Sequence, residues 1–121
     1  PRTAKIVNTL KSAHPNLHII EPLNYLQFNF LIERAKAVIT DSGGITEETT
    51  ILGVPCMTLR DNTERPETIT IGTNELLGTD PNAIGSAFKK LFEDQWKRGG
   101  IPERWDGKTG ERILKLIKKV I

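Results

Sequence analysis

The chain has one cysteine, Cys56, in 121 residues. Within it, that excludes a disulfide framework and a cysteine-built zinc site. The surrounding run Val54-Pro55-Cys56-Met57-Thr58-Leu59 instead reads as a strand with a buried structural thiol. Long apolar stretches are also missing. The longest are strand-sized, too short for a membrane-crossing helix, and nothing resembles a signal peptide, so a cytoplasmic protein without a membrane partner is expected. A net charge of +2 is too small to argue for nucleic acid. Many of the basic residues fall in 108–119, interleaved with Ile113, Leu114, Ile117, Val120 and Ile121, which predicts an amphipathic helix with a solvated lysine face. No metal ligand set stands out and no cofactor is expected.

What is present is an alternation of helix and strand. Residues 3–13 carry Ile6, Val7 and Leu10 at helical spacing, and residues 17–20 form a short apolar run closed by Glu21-Pro22. A helix is predicted over 24–35, with Tyr25, Phe28, Leu31 and Ile32 three or four apart. A strand over 37–40 leads to a Ser-Gly-Gly turn and a helix over 46–52, ended by Gly53 at the helix C-cap. A strand over 56–59, a polar loop over 61–67, a short segment over 68–72 and a strand over 74–77 follow. Pro81 then opens a helix to about residue 92 with Ile84, Ala87, Phe88 and Leu91 inward. Residues 97–108 read as loop, and a last helix begins near residue 109.

Short, non-alternating apolar strands between helices imply a parallel sheet covered on both faces. The expected fold is a single α/β domain over 1–121, three-layered and Rossmann-like. Four strands can be counted where such sheets usually have five or six, and the chain opens on Pro1. It is therefore expected to be part of a longer protein, truncated on its N-terminal side.

Ligands of open α/β sheets bind outside the carboxyl ends of the strands. Ser42, Gly43 and Gly44 follow the second strand, and the segment 60–67 follows the third. Bare glycine backbone at a helix N-terminus lets a phosphate approach the free N–H groups, and Ser42 adds a hydroxyl donor. The alternative is a tight turn that needs positive φ. The Gly-x-Gly-x-x-Gly spacing and the lysine of a phosphate-binding loop are both absent, which argues against NAD and ATP. Glu48, about one helical turn beyond Gly44, suits the paired hydroxyls of a ribose, or simply favours the helix dipole. Glu47 points roughly 100° away and reads as a surface residue. Arg65, fixed ahead of Pro66, suits a phosphate, the alternative being a loop ion pair with Asp61, Glu64 or Glu67. His14 and His18 fall at the far end of the first strand, where catalysis is not expected.

Asp41-Ser42-Gly43-Gly44-Ile45-x-Glu47-Glu48, Gly53-x-Pro55, and the run from Arg60 to Glu67 together resemble the non-hydrolysing UDP-N-acetylglucosamine 2-epimerases. Gly72-Thr73-Asn74, Gly78-Thr79-Asp80 and Trp105-Asp106-Gly107-Lys108 are similar as well, so the likeness runs the length of the chain in order. It implies the C-terminal half of a GT-B architecture, an isomerase that interconverts UDP-GlcNAc and UDP-ManNAc, and a homodimer. By the same resemblance Ser42, Gly43 and Gly44 hold the diphosphate, Glu48 takes the ribose hydroxyls, Phe28 contacts the uracil, and Arg65 lines the nucleotide site. The acid–base carboxylates would lie in the missing N-terminal domain, so no catalytic residue is expected here and the fragment alone should be inactive. Leu23 stands where a glutamine can occur. Thr46 replaces another glutamine, on a face expected to be exposed.

Alternatives are the nucleotide half of another GT-B enzyme, either a glycosyltransferase or a hydrolysing epimerase, and a nucleotide-binding module without chemistry. A receiver-like domain would need an acidic cluster after its first strand, and none is present.

Overall fold

The computed structural model describes residues 7 and 14–120. The predicted helix over 3–13 lies outside the described residues apart from Val7. Helix α1 (Tyr25–Arg34) starts at Asn24, whose side chain accepts from the Gln27 N–H while Gln27 Oε1 accepts from the Asn24 N–H. This reciprocal capping box satisfies two donors that a helix start otherwise leaves open. Strand β1 (Val38–Thr40) leads into α2 (Gly43–Leu52), which ends at Gly53 with φ of 70°, the left-handed C-cap that glycine adopts without strain. Strand β2 (Cys56–Thr58), helix α3 (Pro66–Thr70) and strand β3 (Asn74–Leu76) follow. Helix α4 (Pro81–Phe92), capped by Asp80 on the Asn82 N–H, and helix α5 (Thr109–Val120) complete the described fold.

The three strands form one parallel sheet in the order β1-β2-β3, with Val38 opposite Cys56 and Cys56 opposite Asn74. Because successive side chains of a strand point to opposite faces, β2 splits its residues between two layers. Met57 packs with Ala87 and Leu91 of α4, flanked by Ala37, Leu77, Phe88 and Trp96. Cys56 and Thr58 face the other way, where the Cys56 thiol lies near Thr49 on α2. All three β2 residues are buried, as a central strand covered on both sides requires. The domain is thus α/β and Rossmann-like, with helices on both faces of the sheet.

The second layer is built from threonines. Thr46, Thr49, Thr50, Thr58, Thr68 and Thr73 are all buried, and each hydroxyl has a partner inside the protein. Among the described residues no buried side-chain nitrogen or oxygen lacks a hydrogen bond, so this polar layer avoids the desolvation penalty of unpaired groups.

Four expectations need correction. Residues 17–20 are not a strand: Leu17 and Ile20 are exposed and no ladder joins this run to β1. An apolar run becomes a strand only where a neighbour accepts its hydrogen bonds. Helix α2 begins at Gly43, three residues before the predicted start. The loop after β2 gives way to α3 at Pro66, which occupies the first helical position where its missing N–H costs nothing. Finally, Thr46 is 1% exposed rather than on a free face, and its hydroxyl, folded back to the Gly43 carbonyl at 2.6 Å, is satisfied there.

The final helix, α5, forms where expected, and none of its residues is buried. Ile113, Leu114, Leu116, Ile117 and Val120 are all exposed. Among the described residues no helix is long and apolar enough to cross a membrane.

Candidate functional site

The carboxyl ends of all three strands open onto one edge of the domain. After β1, Ser42 takes the N-cap position of α2 with extended backbone (φ −86°, ψ 125°), and its own N–H donates to Thr40 Oγ1 at 3.0 Å. Its hydroxyl makes no capping bond. An N-cap serine usually spends that oxygen on the N–H of the second or third helical residue. Here the exposed hydroxyl and the first N–H groups of α2 are left open together, at the positive end of the helix dipole.

Gly43 and Gly44 are the first two residues of that helix, and neither has a left-handed φ. The tight-turn explanation for these glycines therefore fails. A Cβ added at Gly44 would meet nothing within 4 Å, and one at Gly43 would lie 3.6 Å from Glu64 Oε2, in ordinary contact. The fold does not require glycine at either place. Access to the backbone is what their missing side chains provide.

After β2, Arg60 grips Glu64 with both terminal nitrogens, at 3.0 and 3.3 Å, and its Nη2 also reaches Asn62 Oδ1. The hydrogen bonds from Arg60 hold the Glu64 carboxyl below its usual range. Arg65 follows, and its Nε donates to Glu47 Oε1 on α2. That bond, reinforced by the Glu47 charge, pushes the guanidinium still further toward its charged form. None of the three loop carboxylates named as possible partners pairs with Arg65; the helix residue read as a surface glutamate does. Sequence reasoning missed Glu47 because helical spacing gives its direction but not which loop that direction meets.

The backbone of Arg65 is anchored from below. Its carbonyl accepts from the N–H and the Oγ1 of Thr68, at 3.0 and 2.7 Å, and its N–H donates to Thr63 Oγ1 at 3.1 Å. Asn74 Nδ2 donates to Thr68 Oγ1 at 3.3 Å, and Thr58 Oγ1 donates to Asn74 Oδ1 at 2.6 Å. This chain of bonds runs from the middle of the sheet to the arginine. Asn74 is fully buried, and its neighbours Gly72 and Thr73 read only as a motif in the sequence.

Glu48 lines a cavity of about 330 Å³ with Tyr25, Asn29, Glu47, Ile51 and Trp105. Tyr25, Asn29 and Trp105 come from α1 and from the segment before α5. Only the fold brings them beside α2. Phe28 sits apart: its N–H donates to Asn24 O at 2.9 Å, and its ring lines a separate cavity of about 250 Å³ against β1 and Ile45. Leu23 borders a third, apolar cavity of about 520 Å³ with Ile20, Leu26, Gln27, Phe30 and Leu31, all from α1 and the residues before it. The structure thus joins Ser42, Gly43, Gly44, Glu48 and Arg65 on α2 and its immediate neighbour, and gives Phe28 a separate cavity that reaches Thr40 and Ile45 on either side of that helix start. Among the described residues no cluster of histidine, cysteine and carboxylate side chains could hold a metal ion.

Comparison with known proteins gives a consistent answer. The family model described as UDP-N-acetylglucosamine 2-epimerase matches residues 1–118. A UDP-N-acetylglucosamine 2-epimerase of Methanocaldococcus jannaschii is 42% identical over 97% of this chain, and that of Escherichia coli is 37% identical over 98%. The match spans 33% of the first and 32% of the second, so the chain covers about a third of the length of these relatives. Among solved structures, the M. jannaschii enzyme in complex with UDP-GlcNAc and UDP superposes with a TM-score of 0.77 at 40% identity, over 98% of this chain and 32% of that one. A co-structure of S. aureus MnaA with UDP superposes at 0.86 with 31% identity, over 99% of this chain and 33% of that one. With a family model spanning nearly every residue and relatives this similar, the chain belongs to the UDP-N-acetylglucosamine 2-epimerase family.

Proposed function

We propose that this chain is the UDP-holding, C-terminal domain of a two-domain GT-B enzyme that interconverts UDP-GlcNAc and UDP-ManNAc. The observation that carries the reading is the open N-terminus of α2, with an uncapped Ser42 hydroxyl and two glycines that the fold itself does not need. A diphosphate laid there meets helix N–H groups, the serine hydroxyl and the Arg65 guanidinium nearby. Glu48, about one turn along the same helix, accepts hydrogen bonds from the ribose hydroxyls. The uracil lies toward α1 near Phe28. Because the Phe28 N–H is engaged by Asn24, its carbonyl's second lone pair and its ring edge are the groups left to meet a base. The solved relatives carrying UDP or UDP-GlcNAc support the same ligand class.

In the proposed reaction a proton leaves C2 of the sugar as the anomeric C1–O bond breaks, giving UDP and a glycal. Protonation of C2 on the opposite face and re-formation of the C1–O bond complete the inversion. Negative charge grows on the diphosphate during departure, and donors fixed in advance stabilise it without reorganising. The acid–base residues belong to the other domain, and the working protein is a homodimer.

Calorimetry on the full-length protein tests this. UDP should bind the wild type, and Arg65→Ala should weaken binding by about tenfold or more, the loss of a charge-assisted bond. Absence of UDP binding by the wild type would remove the nucleotide reading altogether.

A further inference from the structure

The contact between Glu47 and Arg65 joins α2 to the start of α3, eighteen residues apart in sequence. Both side chains are substantially exposed, at 40% and 53%, and such a pair adds little to folding stability. Its geometry has another use. Glu47 engages Nε, the inner nitrogen of the guanidinium, and among the described residues neither terminal nitrogen of Arg65 donates a hydrogen bond to the protein. That outer edge is the two-pronged face that matches phosphate oxygens. Glu64, the adjacent carboxylate that could otherwise capture it, is occupied by both terminal nitrogens of Arg60. Two arginines and two glutamates are thus sorted so that one pair closes on itself and the other leaves a fork free.

We infer that Glu47 is a positioning residue of the nucleotide site, holding the Arg65 side chain beside the N-terminus of α2 with its outer edge turned to the diphosphate. The inference rests on the reading of Arg65 as a phosphate ligand. A long side chain gives up rotamer freedom when it binds, and one already tethered has given up much of it before the ligand arrives. The chain of side-chain hydrogen bonds through Thr58, Asn74 and Thr68, ending on the Arg65 carbonyl, fixes where the residue starts, and Glu47 fixes where it ends.

A negative charge at Glu47 also repels an anion, so two substitutions separate the effects. Glu47→Gln keeps an acceptor oxygen and loses the charge, whereas Glu47→Ala loses both. In the full-length protein, calorimetry with UDP should give near-wild-type affinity for Glu47→Gln and affinity about tenfold weaker for Glu47→Ala. Thermal melts should agree with wild type to within a few degrees. In the Arg65→Ala background, Glu47→Ala should cause no further loss, because nothing remains to be positioned. Equal or tighter binding by Glu47→Ala, or a further loss in the Arg65→Ala background, would overturn the inference while leaving UDP binding intact. Wild-type affinity in Arg65→Ala would overturn both this and the assignment of Arg65.

Discussion

Gly72 and Gly99 meet backbone to backbone: a Cβ built on Gly99 would lie 2.7 Å from the Gly72 carbonyl carbon and 2.9 Å from its oxygen. Gly99 also has a φ of 64°, and its neighbour Gly100 donates to the Ile71 carbonyl at 2.7 Å. The loop before α5 is stitched onto the start of β3 at this point, alongside the Trp96 indole, which donates to the Thr73 carbonyl at 2.9 Å. On the other side of Gly72, a Cβ would fall 2.5 Å from Thr50 Oγ1 and 2.6 Å from the Thr68 carbonyl. Gly72→Ala should therefore destabilise the protein by about 1–3 kcal/mol, the usual cost of overpacking a tight site. Gly85→Ala in α4, where nothing lies within 4 Å, should be neutral or stabilising by up to about 1 kcal/mol. Urea denaturation of the two variants checks the contrast.

Gly44→Ala separates folding from binding. The position is helical and open, so alanine should leave the melting temperature unchanged or slightly raised. If the diphosphate approaches this backbone, the added methyl should weaken UDP binding by about tenfold. A variant that melts later and still binds UDP as wild type would show that this glycine serves neither purpose.

The alternation of helix and strand was legible in the sequence because its punctuation is local. Gly53 ends α2 and Pro81 opens α4 for reasons that involve only their own backbone. Ala37-Val38-Ile39-Thr40 and Leu17-His18-Ile19-Ile20 look alike as short apolar runs, yet only the first forms a strand, because only it finds β2 alongside. Thr46 was misjudged for a related cause: which face of a helix is covered depends on elements distant in sequence, and its hydroxyl tolerates burial by bonding one turn back. In the site, Ser42, Gly43 and Gly44 were visible because they are contiguous and chemically odd. The roles of Glu47, Asn74 and Trp105 were not: Glu47 and Asn74 act through partners distant in sequence, and Trp105 reaches the Glu48 cavity only through the fold.

The chain of hydrogen bonds beneath Arg65 should be costly to break at its centre. Asn74→Ala leaves the buried Thr58 hydroxyl without its acceptor and Thr68 without its donor, and should lower stability by about 2–4 kcal/mol. Removing the stranded hydroxyl as well, with Thr58→Val, should cost much less than it does in the wild-type background. Denaturant titrations of the two single variants and the double variant measure that coupling.

A pH effect should appear where α5 begins. Asp106 accepts from the Lys108 N–H at 3.0 Å and from both terminal nitrogens of Arg112, at 2.9 and 2.5 Å. The Arg112 hydrogen bonds, with help from Lys108, hold its carboxyl down, from 3.8 to about 2. A depressed folded-state value means the clasp is intact above pH ~4 and is lost as the pH falls toward about 2. The Asp106 side chain is 44% exposed, so the effect should be local: NMR signals at Asp106, Lys108 and Arg112 should shift over that window, and Arg112→Ala should return the Asp106 titration toward the usual carboxylate range.

Cys56 sits at the centre of this sheet with no exposed surface, and burial raises its thiol above the usual pKa. A thiol reagent can reach it only when β2 parts from its neighbours or from the helices that cover it. Within this chain its labelling rate is therefore a clock for the opening of the sheet. Because β1 and β3 both pair with β2 and both lead into the edge proposed to hold the nucleotide, UDP bound there should slow that clock.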